Sequence, residues 1–152
     1  NYNCPGQIVI TGEADAVAEA GTVLKEAGAR RVLPLKVSGP FHSPMMRPAG
    51  EELAKVFARV SMNPLKIPYV ANINAEVITD CGRIEGLLVE QVSGSVRWQQ
   101  SVETMIREGV DTFVEIGPGK TLTGFLRKID KNVKAYHIGS WEEAVQVCEE
   151  LK

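Results

Sequence analysis

Cysteine is scarce in this 152-residue chain, and the three that occur, Cys4, Cys81 and Cys148, are odd in number and far apart. That spacing argues against a disulfide framework and against a zinc site. A reducing, cytoplasmic setting is the default expectation, with no metal. Charge of one sign is lacking too: 17 basic against 19 acidic residues leave a net charge of −2, which gives no overall attraction for nucleic acid or another polyanion. No apolar run approaches the ~20 residues that span a bilayer, so no membrane partner is expected. The opening Asn1-Tyr2-Asn3-Cys4-Pro5 has neither the charged start nor the apolar stretch of a signal peptide. What is present is a 44% hydrophobic composition, ordinary for a globular protein, on a length that suits one domain with a sizeable core. The chain has no initiating Met and opens abruptly on a polar, turn-like segment, so a fragment of a longer protein is expected.

Patterning places strands and helices in alternation. Residues 7–10 are β-rich and end at Thr11-Gly12. Residues 13–27 read as a helix, with Val17, Ala20, Gly21 and Leu24 on one face and Gly28 closing it. A second strand is expected at 31–35. Residues 37–48 hold three prolines and a glycine and read as loop. Pro48 suits the first turn of a helix that runs to about Val60, with Leu53, Val56, Phe57 and Val60 as its apolar face. A buried strand is expected at 67–73, helices at 84–92 and 96–108, and a strand at 111–116 running into Gly117-Pro118-Gly119. A helix from Lys120 presents Leu122, Phe125, Leu126 and Ile129, and a last strand follows at 133–138. Ser140 with Glu143 three residues on forms a capping-box pattern before a final helix. Alternating strands and helices argue for an α/β fold with a parallel sheet.

Few residues offer chemistry. His42 sits in a proline-rich loop between a strand and a helix, where catalytic side chains concentrate on rigid scaffolds. His137 lies within a strand and reads as a partly buried side chain. Ser43 is beside His42, but adjacent residues seldom place hydroxyl and imidazole within hydrogen-bond distance, so Ser43 is not taken as a nucleophile. Gly119-Lys120-Thr121 follows a strand and opens a helix, as a nucleotide-binding loop does. Such a loop needs a glycine where Val114 stands, inside the strand. The glycines therefore read as a tight strand-to-helix turn.

Gly39-Pro40-Phe41-His42-Ser43-Pro44 and Val114-Glu115-Ile116-Gly117-Pro118-Gly119 resemble the histidine motif and the late glycine loop of the malonyl-CoA:acyl carrier protein transacylases. Asn1 to Gln7 and Val70-Ala71-Asn72-Ile73 fit the same family, in order and spacing. The resemblance implies a C-terminal fragment. Residues 1–36 would be the later part of a ferredoxin-like small subdomain. Residues 37–152 would be the C-terminal part of an α/β-hydrolase-like large subdomain. No Gly-x-Ser-x-Gly occurs in the chain, so by the resemblance the nucleophilic serine, the arginine that pairs with the malonyl carboxylate and an oxyanion-hole glutamine lie in a missing N-terminal half. That half, malonyl-CoA and acyl carrier protein are the partners implied, and no cofactor is.

The family match assigns His42 as the catalytic base and Gln91 as the residue whose carbonyl holds the imidazole Nδ1–H. It places Asn72 in the site, Asn3 and Gln7 against the CoA portion, and Phe41 where a bulky ring disfavours a methyl-branched acyl group. The implied reaction is transfer of malonyl from CoA to the phosphopantetheine thiol of the carrier protein through an acyl-serine. The alternative is a non-catalytic module that binds carrier protein or CoA, favoured by the absent serine motif.

Overall fold

Six short strands and six α-helices make up the computed structural model, which describes residues 1–152. Strands β1 (Tyr2–Cys4) and β2 (Gln7–Ile8) form an antiparallel hairpin around Gly6, whose φ of 77° only glycine adopts without steric cost. Helix α1 (Ala14–Glu26) ends as the glycine predicts: Gly28 turns left-handed at φ 96°, and the amides of Gly28 and Ala29 donate back to Lys25 and Leu24. A single 3-10 turn, Pro44–Met46, leads into α2 (Arg47–Phe57). Strands β3 (Tyr69–Val70) and β4 (Val77–Ile78) form a second antiparallel hairpin. Then come α3 (Ile84–Ser93), α4 (Trp98–Arg107), β5 (Thr112–Ile116), α5 (Thr121–Ile129), β6 (Lys134–Ile138) and α6 (Trp141–Glu150). β5 and β6 pair in parallel across α5, with Thr112 opposite Lys134 and Ile116 opposite Ile138.

Helix α4 organises the core by packing on β1, β3 and α5. Cys4, Ile78, Ser101 and Val102 are wholly enclosed there, with Leu126 of α5 beside them. α2 lies along α3 at close range because Gly50 is buried in the contact: a Cβ at Gly50 would stand 3.1 Å from the Val89 carbonyl. Outside these contacts the core is thin. Only 12 of 152 residues are buried, and 10857 Å² is accessible to solvent. A compact monomer of 16.6 kDa exposes about 7,600 Å².

Several expectations are corrected. The strand at 31–35 does not form: residues 31–37 have no regular structure, and none of their backbone groups enters a backbone hydrogen bond, because no neighbouring strand lies beside them. The strand at 67–73 shrinks to two residues, since the chain turns back at 72–74 to bring in β4, which patterning did not reveal. Residues 44–47 are helical rather than loop, and Pro48 falls in the first turn of α2 as expected. The capping box is half made. Ser140 Oγ accepts the Glu143 amide at 3.2 Å, but the Glu143 carboxylate accepts the amide of Gly139, not of Ser140.

Candidate active site

His42 lies in the turn that follows residues 31–40 and adopts φ 61°, a left-handed conformation rare outside glycine. This bend delivers its ring to the C-terminal end of α3. The last carbonyls of a helix have no intrahelical partner. One of them, the Gln91 main-chain oxygen, lies 3.0 Å from His42 Nδ1. A carbonyl only accepts, so Nδ1 carries a proton, and in the neutral ring the lone pair lies on Nε2. The Gln91 side-chain amide nitrogen, a donor only, is 3.4 Å from the same Nδ1 and donates to the Gly94 carbonyl at 3.2 Å, so the main-chain carbonyl is the acceptor that Nδ1 meets. Gly94 ends α3 at a place where any side chain would collide with Ile73 and meet the Glu90 carbonyl at 2.9 Å. The carbonyl that holds His42 therefore rests on a turn only glycine fits.

The imidazole opens on a cleft of about 300 Å³ between the β1–β2 hairpin and the His42 turn, lined among others by Asn1, Ile8, Thr11, Ser43 and Ser95. Asn1 Oδ1 is buried there without a hydrogen-bond partner. The Asn1 main-chain nitrogen donates to the Val9 carbonyl at 2.7 Å. The Ser43 hydroxyl is buried and donates to the Pro40 carbonyl at 2.7 Å, so it is engaged in holding the turn.

The structure brings His42 and Gln91 together, and of the candidates only His42 lines the cleft. Asn72 occupies the turn after β3, where its main-chain carbonyl accepts the Arg97 amide at 2.8 Å. Gln7 Oε1 faces the Cys4 thiol at 3.9 Å. Asn3 and Phe41 do not line the cleft, and Phe41 is exposed. Asn1 and Ser95, which do line it, carried no signal beyond being small polar residues near a hairpin and a helix end.

The glycine turn is built around a carboxylate. Gly117 and Gly119 have φ of 138° and 83°. From β5, Glu115 accepts the Leu122 amide at 3.1 Å, the Thr123 amide at 2.7 Å and the Thr123 hydroxyl at 2.6 Å. Desolvation pushes the Glu115 carboxyl up, but the Thr123 hydroxyl and the two amides outweigh it and hold the pKa below its ordinary value. A phosphate would need the same amides, so the turn is not a nucleotide site. His137 is nearly enclosed on β6, with Nε2 2.8 Å from the Gly117 carbonyl and Nδ1 3.5 Å from the Glu143 carboxylate.

A family model described as acyl transferase domain matches residues 1–147. The malonyl CoA-acyl carrier protein transacylase of Bacillus subtilis (strain 168) is 42% identical over 152 residues, which is 100% of this chain and 48% of that protein. The crystal structure of MCAT from Streptococcus pneumoniae superposes with a TM-score of 0.93 at 44% identity, covering 99% of this chain and 49% of that one. A malonyl-transacylase solved in complex with a type II PKS acyl-carrier protein gives a TM-score of 0.87 at 35% identity, over 91% of this chain and 45% of that one. The chain thus spans about half the length of the relatives it matches.

Proposed function

We propose, since the chain belongs to the acyl transferase domain family, that it is the base-bearing half of an enzyme that moves malonyl from malonyl-CoA to the phosphopantetheine thiol of acyl carrier protein, a loading step for fatty-acid synthesis in the cytoplasm. The observation that carries this reading is His42 Nδ1 held at 3.0 Å by the Gln91 carbonyl, with Nε2 unbonded beside the cleft. The serine, on the half that this chain lacks, attacks the thioester carbonyl while Nε2 takes its proton. The CoA thiolate leaves and receives that proton. In the second half-reaction the carrier-protein thiol gives its proton to Nε2 and attacks the acyl-serine, and the serine leaves with the proton restored. No carboxylate orients the ring. The carbonyl fixes the tautomer instead, and the negative end of α3 faces the ring where positive charge develops.

In the same reading, residues 1–36 come from a ferredoxin-like small subdomain and 37–152 from a hydrolase-like large one. The β1–β2 hairpin crosses between them, since β1 packs on α4 and α5. Asn72 serves the site through its turn, and Asn3, Gln7 and Phe41 contact substrate only once the other half has reshaped the cleft.

The test completes the chain with the portion of the Bacillus subtilis relative that it does not match and follows transfer of labelled malonyl to carrier protein. The completed enzyme should turn over, and His42→Ala should lower the rate at least about 100-fold without loss of helical signal. Near-normal turnover of that variant sinks the role of His42. The chain alone should transfer nothing, and transfer by it would contradict the reading.

A further inference from the structure

We propose that Ser43 is a positioning residue for the His42 base, acting through a side-chain hydrogen bond that clamps the turn on which the ring is mounted. The inference rests on the reading of His42 as the base and adds a second residue to the same site. Ser43 stands at the N-cap of the Pro44–Met46 turn with extended backbone, φ −125° and ψ 162°. A serine there ordinarily accepts a main-chain amide from the turn ahead of it. Ser43 makes no such bond. Its hydroxyl reaches backward and donates to the Pro40 carbonyl at 2.7 Å. The Met46 amide, which a cap would have served, donates to the Ser43 main-chain carbonyl at 2.9 Å.

The backward bond encloses Phe41 and His42, and His42 is the residue at φ 61°. A residue with a Cβ leaves that conformation unless its surroundings hold it. Phe41 is exposed and anchors the turn weakly. Two side-chain hydrogen bonds hold it: His42 Nδ1 to the Gln91 carbonyl at 3.0 Å, and Ser43 Oγ to the Pro40 carbonyl at 2.7 Å. The first sets the tautomer, and the second keeps the ring within reach of it. The proline ring limits φ at the residue that bears the accepting carbonyl. Ser43 is only 4% exposed, so water does not replace its bond, and opening it leaves a buried hydroxyl unmatched.

Without this bond His42 relaxes toward negative φ and its ring leaves the Gln91 carbonyl. Nothing then decides which ring nitrogen carries the proton. A neutral ring with its proton on Nε2 cannot take a proton there, so that fraction is lost to base catalysis.

The experiment reads the two ring nitrogens of His42 by NMR on the isotopically labelled chain, with the ring neutral. The wild type should carry the proton on Nδ1. Ser43→Ala should share it between Nδ1 and Nε2, and Ser43→Thr, which keeps the hydroxyl and suits an extended backbone, should return it to Nδ1. In the completed enzyme, Ser43→Ala should lower kcat at least about 5-fold, the weight of one lost hydrogen bond, with KM for malonyl-CoA within about 2-fold. A proton that stays on Nδ1 in Ser43→Ala overturns the proposal, whatever the rate does. Should that variant lose its helical signal, Ser43→Cys, a weaker donor of similar size, takes its place; the proton should again be shared, and an unchanged ring overturns the proposal. An unchanged kcat in Ser43→Ala beside an inactive His42→Ala overturns the role of Ser43 and leaves His42 as the base. An active His42→Ala overturns the base reading, and the role of Ser43 with it.

Discussion

The left-handed backbone at His42 makes a stability prediction whose sign is diagnostic. At φ 61° a residue with a Cβ pays about 1–2 kcal/mol for its contact with the following carbonyl. Replacing His42 by Ala keeps that cost, and replacing it by Gly removes it. Both substitutions delete the same hydrogen bond to the Gln91 carbonyl, worth about 1 kcal/mol, so that loss cancels between them. Gly gains about 0.4–1 kcal/mol of freedom in the unfolded chain. The net expectation is that His42→Gly is more stable than His42→Ala by about 0.5–1 kcal/mol. At an ordinary φ the order would reverse by a similar amount. Urea denaturation of the two variants side by side in the completed enzyme measures the difference, and a thermal scan should show it as about 1–4 °C. Equal stability, or Ala above Gly, refutes the claim that this turn stores strain. Both variants should lack transfer activity. If the order holds, the strain is kept at a position where removing it stabilises the protein and costs the base.

Ala75 is a companion case away from the histidine. Its φ is 59°, so Ala75→Gly should stabilise by about 0.5–1 kcal/mol with activity unchanged, read by the same denaturation. Glu115→Gln should cost about 1–2 kcal/mol as a lost helix cap. Because the folded Glu115 pKa lies below its ordinary value of 4.5, its contribution is present above that value and vanishes as pH falls through the folded pKa. The variant's deficit should therefore shrink on acidification, and a deficit that persists at low pH would contradict the assignment. Gly50→Ala should push α2 from α3 and cost about 1–3 kcal/mol, since its Cβ would stand 3.1 Å from the Val89 carbonyl. An unchanged midpoint would mean that the two helices have room to spare.

What the sequence made legible was local. The four elements from α4 to β6 lie within two residues of where periodicity puts them, because each rests on its own apolar face and its own terminator. Gly109 and Gly119 both take the positive φ that such positions demand. β4 was invisible because two residues, Val77 and Ile78, carry no pattern, and only pairing with β3 makes them a strand. The 49-residue separation of His42 and Gln91 lies beyond any spacing rule. The resemblance alone joined them, and it did not distinguish the main-chain carbonyl, which the structure puts at 3.0 Å, from the side-chain amide, which turns to Gly94.

The strand expected at 31–35 failed for a different reason. Its sequence alternates as a strand should: Val32 packs toward Gly21 of α1, while Leu33, Leu35 and Val37 are 64%, 59% and 63% exposed on the other side. Val32 is partly covered, Pro34 and Lys36 are exposed on its side, and no ladder partner is present. The same conjunction recurs at β5, where the unpaired edge adjoins the exposed Ile116 and an apolar gap by Trp98. Unpaired backbone and uncovered side chains thus coincide at separate points along the chain. A surface meant for water would be expected to show polar side chains at such positions, or prolines and charges along the open edges.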